Sequence, residues 1–147
     1  PFLSSRAFTA DLAANRAALR RLLPGLKNET YAYPYGYASL GHKRRLGRLA
    51  RASRSVQPGL NVGMVDLDYI RAVSLVDAYL TPGALEALLD EAAERRGWLV
   101  FLTHDVTTNP TQYGVSPGLM AAAVTGALQR GLPVRTIAGA LDAMGVP

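Results

Sequence analysis

The sequence has no cysteine, only two histidines, His42 and His104, two lysines, Lys27 and Lys43, and a single tryptophan, Trp98. Without cysteine there is no disulfide, no thiolate nucleophile and no cysteine-ligated metal site. Two imidazoles cannot build a three-histidine metal site within one chain. Long apolar runs are also missing. The run Trp98 to Leu102 is far short of the roughly 18 residues that a spanning helix needs, and no stretch at the start reads as a signal peptide. A soluble chain without membrane insertion is expected, with its compartment unassigned. What is present is apolar enough for a core: 49% of the 147 residues are hydrophobic and 18% charged, which excludes a disordered chain and fits one domain over residues 1–147. The chain opens on Pro1 rather than methionine, which reads as a segment of a longer product, a processed chain or a trimmed one.

Charge is divided unevenly. Residues 1–73 carry 12 Lys or Arg against 4 acids, whereas residues 74–147 carry 4 against 7. Fourteen of the 16 cations are arginine, the side chain that grips carboxylate or phosphate through a planar fork. The densest stretch runs from His42 to Arg54. It would suit nucleic acid through phosphate neutralisation, yet no aromatic residue interleaves with its cations, and Leu40, Leu46 and Leu49 give it an apolar side. A solvated helix face is the preferred reading.

Periodicity organises the rest. Apolar residues from Phe8 to Leu23 recur at helical spacing, and Pro24-Gly25 ends the pattern. Thr30 to Tyr33 reads as a short strand halted by Pro34-Tyr35-Gly36. A helix follows over Ser39 to Ala50, then strands near Ala52 to Val56 and Ile70 to Val76. Thr81-Pro82 and Ser116-Pro117 each place a capping hydroxyl before a proline at the first helical position. Between those two helices, Trp98 to Leu102 is apolar on both alternating faces, as in a parallel strand covered on both sides. Val134 to Ile137 is expected to form a last strand before a terminal helix. Strands alternating with helices point to an α/β fold, a mostly parallel sheet or barrel with chemistry at the carboxyl ends of its strands.

Two such ends attract attention: Tyr33-Pro34-Tyr35-Gly36 and Leu102-Thr103-His104-Asp105. A histidine with a pKa near neutrality can serve as general acid or base, though on periodicity alone a structural, hydrogen-bonded His104 is the better reading. Tyr31, Tyr33, Tyr35 and Tyr37 are equally consistent with a core face or with a sugar-stacking surface.

Taken in order, Tyr31-Ala32-Tyr33-Pro34-Tyr35-Gly36, then Arg54 with Pro58-Gly59-Leu60-Asn61, then Gly97-Trp98-Leu99-Val100-Phe101-Leu102-Thr103-His104-Asp105-Val106 resembles the polysaccharide deacetylase family, with Ser116-Pro117-Gly118-Leu119 and Val134-Arg135-Thr136-Ile137 following suitably. The family comprises metal-dependent carbohydrate esterases on an irregular (β/α) barrel. The resemblance spans nearly the whole chain but only the family's carboxyl-terminal portion, so the amino-terminal strands are expected upstream. It gives His104 the part of general acid and Tyr35 that of backbone oxyanion donor, with Tyr33, Pro34 and Gly36 as substrate-binding residues of the turn and Leu102 beside the acetyl methyl. Trp98 is carried with Leu102 as a substrate-side residue. Asp77, at a predicted strand end, is the candidate carboxylate that orients His104, a surface aspartate capping the following turn being an equal alternative. The divalent metal, zinc by expectation, and the base aspartate would be held upstream of residue 1, with no metal ligand in this chain. Ala32 stands where the family often has an arginine, for which Arg51 or Arg54 is a candidate substitute.

The expected function is therefore hydrolytic removal of acetyl groups from N-acetylated or O-acetylated polysaccharide. A noncatalytic glycan-binding remnant of the same fold is the alternative. A basic nucleic-acid-binding protein ranks last, and the adopted reading has no nucleic-acid partner.

Overall fold

Five hydroxyls set where the helices start. A helix leaves its first N–H groups without acceptors, and a serine or threonine just before it can supply one. In the computed structural model, which describes residues 3–27 and 29–146, this holds at every helix. Ser4, Ser39, Thr81, Ser116 and Thr136 accept from the backbone N–H of Ala7, His42, Ala84, Leu119 and Gly139. The helices are α1 (Ser5–Leu22), α2 (Leu40–Leu46), α3 (Pro82–Glu94), α4 (Pro117–Gln129) and α5 (Ile137–Ala143).

The last of these corrects the sequence reading. Val134 to Ile137 is no strand: once the Thr136 hydroxyl accepts from Gly139, Ile137 becomes the first residue of α5. Val134 is left exposed. Short β-branched runs are ambiguous between strand and helix entry, and here the cap decides.

Four short strands are present: β1 (Thr30–Ala32), β2 (Ala52–Arg54), β3 (Val73–Ser74) and β4 (Phe101–Leu102). β1 pairs in parallel with β2, and β3 in parallel with β4. A further parallel bridge between Arg54 and Ile70 joins the β2 end to the segment leading into β3. Spatial order thus follows chain order, and all four carboxyl ends face one rim. The regular pairing is briefer than the predicted strands, but the alternation along Trp98 to Leu102 has its expected consequence. Leu99 and Phe101 pack with α3 and α4 around Leu75, Leu85, Leu89 and Ala123, whereas Trp98, Val100 and Leu102 pack with Ala52, Ile70 and Leu141 of α5.

Against β1, helices α1 and α2 form a smaller core of Phe8, Leu12, Tyr33 and Leu46. Phe8 stacks on the buried His42 ring at 4.5 Å, and Arg16 Nη2 donates to the Leu49 carbonyl at 2.7 Å, so the two helices run side by side in the same direction. Only the first half of the α1 apolar stripe is used. Leu22 and Leu23, at 76% and 57% exposure, lie beyond the reach of α2. Within the arginine-rich stretch Leu46 and His42 are buried, Leu40 is exposed, and Arg44, Arg45 and Arg48 face solvent. Among the described residues no helix is long and apolar enough to cross a membrane.

Candidate functional site

The rim at the carboxyl ends of the strands is built by two segments. The first leaves β1. Proline at position 34 cannot donate to a ladder, and residues 34–36 coil into a single 3-10 turn. Within it Tyr35 sits at φ 55°, ψ 11°, a left-handed conformation that costs a residue with a Cβ about 1 kcal/mol or more. Its side chain is 90% exposed, and its backbone N–H donates to no group among the described residues. The strain is held from below. The Tyr33 hydroxyl donates to the Asp68 carbonyl at 3.0 Å, and the Tyr69 hydroxyl donates to the Gly36 carbonyl at 3.1 Å. Gly36, at φ 73°, lies against Val56 so closely that any Cβ would overlap it. Burial pushes the Tyr33 phenol up to about 12.

This turn resolves the tyrosine pattern. Tyr31 and Tyr33 lie edge to face within the small core, whereas Tyr35 and Tyr37 are exposed. All four share one parity, and simple alternation would put them on one face. The 3-10 turn breaks the two-residue period between the pairs.

The second segment leaves β4. His104 N–H donates to the Tyr113 carbonyl, Val115 N–H donates to that of Asp105, and Thr107 N–H donates to that of Val115, closing residues 104–115 into a loop. The loop is clamped by Thr111, whose hydroxyl and N–H donate to the Asp105 carboxylate at 2.7 and 3.1 Å. Those two bonds hold the Asp105 carboxyl below its ordinary value, and the nearby His104 adds a smaller pull in the same direction. Gly114 must be glycine, because a Cβ there would overlap the Asp105 carboxylate. The His104 side chain is exposed and leans on the Tyr113 ring at 5.3 Å. Its imidazole nitrogens have no hydrogen-bond partner among the described residues. The contrast with His42 is complete: that ring is buried, stacked on Phe8 and bonded through Nε2 to the Leu3 carbonyl at 2.9 Å.

Asp77 lies near the same loop. Its N–H donates to the Gly114 carbonyl, and its Oδ1 accepts from both the N–H and the hydroxyl of Ser116, at 2.9 and 3.2 Å. It thus secures the entry to α4, and no hydrogen bond joins it to His104 among the described residues. Leu102 and Trp98 are half-buried and line a groove beside β4. Arg51 pairs through its two terminal nitrogens with Glu29 and Asp142 and donates to the Val146 carbonyl, tying α5 to the sheet, while its Nε is buried without a partner among the described residues. Arg54 meets no carboxylate. The role of Asn61 is structural. Its amide bridges the Arg71 and Trp98 carbonyls at 3.0 Å each while its oxygen accepts from Arg71 N–H.

Among the described residues no three His, Asp or Glu side chains converge as metal ligands would. The described residues therefore offer a zinc ion no ligand set. No protein-family model, no curated protein and no solved structure matches the chain.

Proposed function

We propose that residues 1–147 form the carboxyl-terminal part of a carbohydrate deacetylase of the polysaccharide deacetylase type, acting on N-acetylated or O-acetylated polysaccharide within an irregular (β/α) barrel. The observation that carries this reading is the Tyr35 turn. A strained, solvent-facing residue presents an unused backbone N–H at the carboxyl end of β1, and an exposed, unbonded imidazole stands at the carboxyl end of β4 on the same rim. An oriented N–H stabilises the negative charge that develops on the acetyl oxygen as the tetrahedral intermediate forms. A free imidazole, once protonated, gives its proton to the departing amine or alkoxide. Strain persists where the surroundings over-determine it, and the Tyr33, Tyr69 and Gly36 contacts do so here. The divalent ion and the base belong, in this proposal, to residues upstream of Pro1.

Acetate release from N-acetylated chito-oligosaccharide by the full natural polypeptide, with zinc added, tests the proposal. His104→Ala is expected to lower the rate by about 10²-fold or more while leaving the fold intact. Release that is unchanged in His104→Ala would refute the assignment.

A further inference from the structure

A groove of about 620 Å³ runs along the side of β4 away from β3, walled by α3, α4 and α5. Its walls are mostly apolar, with Trp98, Leu102, Met120 and Val124 among them, and β4 has no strand partner on this side among the described residues. Three charged side chains border it, Arg54, Arg96 and Arg135, and no carboxylate does. Arg96 and Arg135 are exposed, and neither forms an ion pair among the described residues. Arg54 is half-buried at the end of β2, and among the described residues its guanidinium makes one hydrogen bond, from Nη1 to the Ser55 carbonyl at 3.1 Å, so most of its fork is unspent.

We infer that this groove binds an aliphatic carboxylate, with the hydrocarbon chain along the apolar wall of β4, α3 and α4 and the carboxylate on the Arg54 guanidinium. The argument is one of complementarity. An apolar cleft favours a hydrocarbon through burial, at about 25 cal/mol per Å² removed from water. A guanidinium taken partly out of water without a counter-ion is unfavourable, and a carboxylate meets it through two parallel N–H···O bonds. Burial indeed lowers the Arg54 pKa, the direction expected of an uncompensated cation. A cationic ligand would be repelled by all three arginines, and a neutral one would leave Arg54 unmatched. The groove shares Leu102, Trp98 and Arg54 with the deacetylase reading, but the inference does not rest on the two residues that carry that reading, since neither Tyr35 nor His104 borders the groove.

Trp98 is the only tryptophan of the chain and lines the groove, so its emission reports occupancy. Titration of the full chain with octanoate is expected to change Trp98 fluorescence saturably. Octan-1-ol and octylamine should bind at least about tenfold more weakly, and Arg54→Gln should weaken octanoate by a similar factor. Arg54→Lys, which keeps the charge but loses the fork, is expected to retain part of the affinity, and circular dichroism of both variants checks that they fold. Equal binding of octanol and octanoate, or octanoate affinity unchanged in Arg54→Gln, would overturn the inference. So would silence toward octanoate accompanied by concentration-dependent dimerisation, which would give the groove to a second copy of the chain.

Discussion

The two sides of this molecule are built to different rules. Where α3 and α4 cover the sheet, Leu85 and Leu89 are essentially inaccessible, and Gly126 lets α4 approach so closely that a Cβ would press on the Leu89 methyl. At the carboxyl-end rim the arrangement is the reverse: Tyr35 and His104 are exposed, the backbone of Tyr35 is strained, and hydrogen bonds from buried tyrosines and a clamped aspartate hold the geometry. Packing carries stability on one side. On the other, a rigid frame spends stability to present polar groups without a partner among the described residues, which is the arrangement expected of a site rather than of a core.

Substitutions on the two sides should separate accordingly. The largest effect is expected at Leu89→Ala, which empties a fully buried position and should cost about 3 kcal/mol in denaturant unfolding. A cost below about 1 kcal/mol would mean that the α3–α4 layer is not the stabilising one. Tyr33→Phe sits between the two regimes. It removes the hydrogen bond to Asp68 and should cost about 1 kcal/mol at neutral pH. It also alters the alkaline limb. The unfolded phenol ionises near 10 and the folded one near 12, so the folded state keeps the proton longer. The contribution of Tyr33 is intact below pH 10 and is lost as pH rises toward 12, by about 2–3 kcal/mol at the end of that window. Unfolding midpoints measured across this range should fall less steeply in Tyr33→Phe than in the parent, and parallel slopes would contradict the assignment. The smallest effect is expected at His104→Ala, within about 0.5 kcal/mol, because its imidazole makes no hydrogen bond among the described residues. A large loss there would make His104 a structural residue.

How much of this could be read from the residues follows the same division. Thr81-Pro82 and Ser116-Pro117 announce helices whose caps and bounds the structure reproduces, because the signals are local and the apolar stripes are long. The two-sided packing of Trp98 to Leu102 was legible from its unbroken apolar character. Val134 to Ile137 was misread because a run of four residues carries too little periodicity to outweigh a capping threonine. The parity of the four tyrosines could not reveal that Tyr31 and Tyr33 pack inward while Tyr35 and Tyr37 are exposed, since the break lies in the backbone of Pro34 to Gly36. Nor could spacing separate His42 from His104. One is fixed by Phe8, which is distant in sequence, and the other is left open. Asp77 could be marked as a carboxylate at a strand end, but its engagement with Ser116 depends on a contact 39 residues away.

The central claim is that the Tyr35 turn and His104 face one ligand. It is tested most directly by NMR titration of the chain with N-acetylated chito-oligosaccharide, following the Tyr35 backbone amide and the His104 ring. The account predicts that both signals shift together along one binding curve, with the buried His42 ring unmoved. A response of only one of the two, or of neither, would contradict it.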